Sequence, residues 1–298
     1  MVRVALIGGA SAYHCRVFAS LINEYDRAGY SEAEFPHYGC EPLGGITVQA
    51  IWDRDPEEAR RVARLANIPE VLPDAAAAIG RVDGVLICDD MTMQHQRLAR
   101  PFLEAGVPTF IDKPLSPDPG EAAEIVGLAR QVGAPLMSCS ALRYARELAE
   151  ARERIDAIGK IRCATATAPN ELVFYGIHAL ELAHTVLGPG LEWVQNIGDE
   201  ERAFVRCAYP DGTSIMLQVL GPGGYPGMHG CFFGEGGGVH VEVKDGACFY
   251  GNMIRQFARM VETREMPIPL DTTLEIIRVL AAGQRSQQQG GARIAVNG

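Results

Sequence analysis

The sequence predicts an α/β protein in two parts: a parallel sheet alternating with helices up to about residue 140, then an α+β half built on an open, mostly antiparallel sheet. Three observations predict it. Apolar runs at 2–7, 46–52, 82–88, 109–111 and 135–139 are separated by helix-length segments. Strand-like stretches at 161–167, 192–197, 203–208, 214–219, 229–234 and 239–243 then follow with few helices between them. The chain has 298 residues, more than the roughly 250 that one hydrophobic core usually serves.

The elements follow from local chemistry. The run at 2–7 is continuous and ends in Gly8-Gly9, which reads as a buried strand rather than a secretory leader. A helix is expected over 13–23. Asp55-Pro56-Glu57-Glu58 starts the next one, with a capping aspartate, proline in the first turn and acids at the positive end of the helix dipole. Helices over 93–105 and 117–132 are closed by Gly106 and Gly133, residues suited to a left-handed cap. In the second half, helices are expected at 143–158, 176–187, 252–263 and 272–288, and the last is expected to pack back on the first domain. The glycine-rich stretch 221–238 is expected to link strands. The boundary falls between residues 140 and 141.

Composition narrows the partners. The formal net charge of -10 repels phosphate backbones and anionic lipid heads, which argues against nucleic acid or a membrane as partner. No apolar run reaches the roughly 18 residues of a membrane span. The eight cysteines form no CxxC pair. They read as reduced thiols of a cytoplasmic protein, without a metal site.

The first strand runs into Gly8-Gly9-Ala10-Ser11-Ala12-Tyr13. A dinucleotide fingerprint needs glycine for the tight turn and small residues for pyrophosphate approach and helix packing. Gly8 and Ala10 fill the first two places, with Gly9 and Ser11 between and beside them; Tyr13 is a poor third. Asp53 ends the second strand, where a carboxylate accepts ribose hydroxyls and repels a 2′-phosphate. This reads as a Rossmann-type domain for NAD. The adjacent Arg54 leaves NADP open. Between the fingerprint and Asp53 lies an insertion, residues 24–45, rich in aromatics such as Tyr25, Tyr30, Phe35, His37 and Tyr38. It is expected to serve as a lid, a subunit contact or a cover over apolar surface.

Phe110-Ile111-Asp112-Lys113-Pro114-Leu115 carries the chemistry. A lysine at the carboxyl edge of a parallel sheet can hold a substrate hydroxyl and stabilise a developing alkoxide. Together with Val82-Asp83-Gly84-Val85-Leu86-Ile87-Cys88, His95 and Leu103-Glu104-Ala105-Gly106-Val107-Pro108, this segment resembles the Gfo/Idh/MocA family of glucose–fructose oxidoreductase and inositol dehydrogenase. Asp112-Lys113-Pro114 is similar to that family's EKP motif. The resemblance implies a catalytic or substrate-orienting Lys113, a cis peptide before Pro114, and cofactor contacts at Asp89 and His95. It also implies a small-molecule substrate (a sugar, inositol or related polar compound) and a homodimer or homotetramer formed through the C-terminal sheet.

The family's second signature is an aspartate followed four residues later by a histidine. Tyr175-Gly176-Ile177-His178-Ala179-Leu180-Glu181 resembles it, with His178 as acid/base. Phe174 stands where the aspartate would be, so Glu181 and Tyr175 are the candidate substitutes. Arg143, in a segment that resembles the family's substrate-pocket entry, is a candidate for binding substrate, whereas His184 reads as core. On this reading Lys113 and His178 converge on one nicotinamide. Two other readings remain open: an NAD(P)-binding regulator or sensor without catalysis, and a scaffold with a vestigial nucleotide site.

Overall fold

The computed structural model describes residues 1–26, 38, 40–225 and 227–297. Within the insertion, the expectations for Tyr30, Phe35 and His37 lie outside the described residues. The chain divides into two compact units. The first is Met1–Ser116, Gly120–Ser138 and Tyr250–Leu270; the second is Pro117–Pro119, Cys139–Phe249 and Asp271–Gly298.

The first unit holds β1 (Val2–Ile7), α1 (Tyr13–Ile22), β2 (Ile46–Trp52), α2 (Pro56–Leu65), β3 (Glu70–Val71), β4 (Gly84–Ile87), α3 (His95–Glu104), β5 (Thr109–Ile111), α4 (Pro119–Val132) and β6 (Leu136–Met137). Its six strands lie in the order β3-β2-β1-β4-β5-β6, and every pairing is parallel. Strand order reverses between β1 and β4, the place where open sheets of this kind bind ligands. The continuous apolar strands are covered on both faces, as a parallel sheet requires; Leu6, Ile7, Leu86, Ile87 and Phe110 have no exposed surface. Asp55 caps α2 as expected, its side chain accepting from the backbone N–H groups of Glu57 and Glu58.

The second unit holds α5 (Arg146–Ala157), β7 (Ile161–Ala168), α6 (Gly176–Leu187), β8 (Trp193–Asn196), β9 (Ala203–Ala208), β10 (Ser214–Val219), β11 (Met228–Gly234), β12 (Gly237–Val243), the first residues of α7 (Gly246–Thr263), nearly all of α8 (Leu270–Gln288) and β13 (Ile294–Ala295). Its seven strands lie in the order β12-β11-β7-β10-β9-β8-β13. All pair antiparallel except β7 with β10. One face packs on helices; Ala164, Ala166, Leu217 and Phe232 point there and are buried. The glycine-rich stretch contains β11 and the start of β12, which pair directly as a hairpin.

One expectation is corrected. Residues 143–158 are not one helix: a short turn of 3₁₀ helix spans Ala141–Tyr144, and Ala145 is extended before α5 begins. The break arises because Ser140 caps the turn through Leu142 N and Arg143 is drawn to Glu181. Most of α7, from Tyr250 on, belongs to the first unit, while α8 from Asp271 on belongs to the second. The sequence supplies the reason: Gly84 of β4 leaves the space that α7 fills, and a Cβ there would come within 2.8 Å of Val261 Cγ2. Phe257 is fully buried, with its ring 6.1 Å from that of Phe110.

Candidate functional site

The fingerprint turn of the first unit is built for close approach. Gly8 and Gly9 both have positive φ, and a Cβ on Gly9 would sit 2.0 Å from the Cys88 carbonyl oxygen, so only glycine fits. A cleft of about 110 Å³ is lined by Gly8, Gly9, Ser11, Asp53, Arg54 and Asp89, among others. Asp53 Oδ2 accepts the Ala10 N–H at 2.8 Å, and its Oδ1 accepts that of Asp55. The carboxylate expected on a ribose therefore holds the glycine turn in place. Arg54 is tied to Asp89 Oδ2 at 3.1 Å and to Thr92 Oγ1 at 2.7 Å. Tyr13 is no obstacle to helix packing. The residue is 46% exposed and its hydroxyl meets that of Tyr38 at 2.8 Å.

Beyond β4 and β5 lies a second group of polar residues. The peptide bond between Lys113 and Pro114 is cis, and Lys113 is buried. Next to it, Asp112 is almost wholly buried and takes a 2.6 Å hydrogen bond from His14 Nδ1. A carboxylate can only accept, so the hydrogen is on Nδ1. His14 Nε2 lies 2.9 Å from the Tyr250 hydroxyl. Burial alone would raise the Asp112 pKa, but His14 and Lys113 outweigh it and hold it at about 2. Asp90, at the end of β4, goes the other way: burial lifts its carboxyl above the usual range, helped by Asp112 and opposed by His14 and Lys113.

Ligand atoms of His14, Asp90 and Asp112 lie within 4.8 Å of one another, close enough to share a metal ion. The 2.6 Å contact inside the group is a hydrogen bond, though, shorter than the roughly 3 Å between two ligands of one ion. The Lys113 ammonium already supplies positive charge, so the group is a hydrogen-bonded charge cluster.

His95 is fully buried. Its Nδ1 lies 3.1 Å from each of the carbonyl oxygens of Pro114 and Leu115, so it is placed as a brace for the turn that carries Lys113.

In the second unit, His178 begins α6 and its Nδ1 meets Ser140 Oγ at 2.7 Å. Tyr175 packs edge-on to it, ring centroids 6.0 Å apart. Glu181 accepts the Ser140 N–H at 2.9 Å and is paired with Arg143. Burial opposes the charge on Arg143, but Glu181 outweighs it and raises the guanidinium pKa. Arg143 Nη2 also reaches His184 Nδ1 at 3.4 Å. The opposite nitrogen of His184 bonds Glu275 at 3.0 Å, and Glu275 accepts from Gly190 N. Glu181 and Arg143, expected at the substrate, are thus partners of each other in a buried chain. His184 is core, as read, but a hydrogen-bonded core.

Another cleft in this unit, about 640 Å³, is lined by Arg152, Lys160, Tyr209 and Asp211 among others and contains none of the candidate residues. Its charges cancel in pairs, Lys160 with Asp211 at 2.7 Å and Arg152 with Asp156.

Sequence reasoning missed His14, Asp90, Tyr250, Ser140 and Glu275 as parts of these clusters. His14 and Asp90 carried a usable signal, since each follows directly on a residue already singled out, Tyr13 and Asp89. All eight cysteines are free thiols; burial pushes those of Cys88 and Cys207 up, which leaves them unreactive. Among the described residues no helix is long and apolar enough to cross a membrane.

A glycine turn at the strand-order reversal, with an acid at the end of β2, defines a nucleotide-binding domain. Comparison with known proteins agrees. Residues 2–139, just under half of the chain, are similar to the Gfo/Idh/MocA oxidoreductase family, described as having an NAD-binding Rossmann fold.

The candidate oxidoreductase YceM of Salmonella typhimurium is 27% identical over 134 residues, which are 44% of this chain and 43% of that one. The aligned part thus spans less than half of that relative. Two Lactobacillus casei structures share the fold over nearly the whole length. Myo-inositol dehydrogenase in complex with NAD(H) and myo-inositol has a TM-score of 0.81 at 17% identity, covering 99% of this chain and 96% of that one. Scyllo-inositol dehydrogenase with NAD(H) and scyllo-inositol has a TM-score of 0.81 at 14% identity, covering 100% of both.

Proposed function

We propose that this protein is an NAD-dependent oxidoreductase that interconverts a hydroxyl and a ketone on an inositol, a sugar or a related small polar compound. The observation that carries this is Lys113, a buried ammonium at the carboxyl end of β5, among acids, on the edge where an open sheet binds its ligand. The inositols held by the two structural relatives support the substrate class.

The turn formed by Gly8, Gly9, Ala10 and Ser11 holds the pyrophosphate, aided by the positive end of α1, and Asp53 holds the adenosine ribose. Bound NAD supplies the acceptor for the hydride of the carbinol carbon. Lys113 orients the reacting hydroxyl and stabilises negative charge on its oxygen. His178 takes up the hydroxyl proton, positioned by Ser140, with Tyr175 beside it as an alternative proton carrier. Arg143 and Glu181 act from behind, holding the segment that carries Ser140.

The second face of the seven-stranded sheet carries Phe204, Met216, Cys231 and Phe233, all at least partly exposed. A second copy of the chain packs there, which size-exclusion chromatography with light scattering would check.

The test of the activity is NADH formation across a panel of inositols, sugars and polyols. Turnover on a member of the panel is expected, and Lys113→Ala should reduce it about a hundredfold or more. A Lys113→Ala variant with full turnover would sink the mechanism. NAD that raises the melting temperature without turnover on any compound would favour a sensor.

A further inference from the structure

The cofactor crevice has two halves along the sheet edge. Asp53 at the end of β2 and the glycine turn after β1 serve the adenosine and pyrophosphate end. Strand order reverses between β1 and β4, so the rest of a dinucleotide extends over the ends of β4 and β5. Those ends carry Asp90, Asp112 and Lys113.

The two acids there are not equivalent. Asp112 is buried and committed to His14 through a 2.6 Å hydrogen bond. Asp90 is only half buried, yet its Oδ1 is shielded from solvent and has no hydrogen-bonding partner. A shielded carboxyl oxygen without a donor is costly and calls for a reason. Donors inside the protein do not supply one. His14 gives its Nδ1 hydrogen to Asp112, and the Asp90 backbone N–H goes to the Cys88 carbonyl. The side chain lies within 4.8 Å of both His14 and Asp112 and stops short of bonding either.

We infer that Asp90 is a cofactor-binding residue whose free Oδ1 accepts a hydrogen bond from the nicotinamide nucleoside, through a ribose hydroxyl or the carboxamide N–H. The His14–Asp112 pair braces the neighbouring strand end and keeps Asp112 from competing for the same donor. The inference rests on NAD being the cofactor, not on the reaction catalysed.

The experiment is calorimetric titration of wild type and Asp90→Ala with NAD, ADP-ribose and ADP. Loss of a hydrogen bond to a carboxylate should weaken NAD about tenfold to a hundredfold and leave ADP unchanged. ADP-ribose separates the two donors: weakened along with NAD, it identifies the ribose hydroxyl; unchanged, it identifies the carboxamide. Unaltered NAD affinity, or equal losses for NAD and ADP, would overturn the assignment. If Asp90→Ala does not fold, a crystal structure of wild type with NAD decides, and it does so against the inference if no cofactor donor lies within about 3.2 Å of Asp90. Wild type that binds neither NAD nor ADP removes the proposed function and this inference together. Tight NAD binding that Asp90→Ala leaves untouched removes only the inference.

Discussion

The two units hold two of their buried histidines differently. His14 of the first unit is bonded to a carboxylate, Asp112, whereas His178 of the second is bonded to a hydroxyl, Ser140. A carboxylate can only accept, which fixes the hydrogen on His14 Nδ1 and ties the ring in place. A hydroxyl can donate or accept, so Ser140 serves His178 in either protonation state. The second unit does contain an acid close by, but Arg143 neutralises Glu181. The difference suits an electrostatic anchor in one place and a proton carrier in the other.

The largest expected effect tests whether Glu181 is a structural partner rather than a proton acceptor. Glu181→Ala leaves the Arg143 guanidinium buried without its anion and should cost about 3–5 kcal/mol of stability in urea unfolding. A loss below about 1 kcal/mol, with activity abolished, would return Glu181 to the chemistry.

The next effect concerns Asp112. Its pKa falls from 3.8 to about 2 on folding. A carboxyl depressed in this way adds stability above its unfolded pKa and loses it as pH drops through the folded one. The contribution is about 2 kcal/mol at neutral pH. Asp112→Asn should therefore lose that much at pH 7 and fall less steeply than wild type between about pH 4 and pH 2. Parallel curves for the two proteins would mean that the carboxylate–histidine pair is no anchor.

The smallest effect belongs to Ser140. Ser140→Ala removes one hydrogen bond to His178 and the cap on Leu142 N, for about 1 kcal/mol of stability. It should lower kcat/KM about fivefold, with a changed pH profile. An unchanged profile would leave the hydroxyl with only its capping role.

What the sequence disclosed depended on how local each interaction is. The first sheet was legible because parallel strands are buried on both faces and read as unbroken apolar runs, and Asp55 and Gly106 announced their helix ends. Lys113 was legible because it lies two residues beyond the end of a strand. Most strands of the second half were found at nearly their observed limits, but α7 begins six residues before the expected 252, β13 was not foreseen, and the parallel pairing of β7 with β10 is a long-range fact with no local signature. The broken helix at Ala145 escaped notice because its cause, Glu181, lies far along the chain. Tyr250 escaped for the same reason: nothing near it announces His14. The role expected of Arg143 assumed a guanidinium open to substrate, and only tertiary structure reveals the acid that occupies it.

Gly84 and the helix that covers it have a consequence for biosynthesis. The nucleotide-binding core depends on Phe257 and Val261, which leave the ribosome only after most of the second unit has been made. Until then the apolar surface around Gly84 and Phe110 lacks the cover that α7 provides. Vectorial folding of this chain thus cannot finish its first unit first.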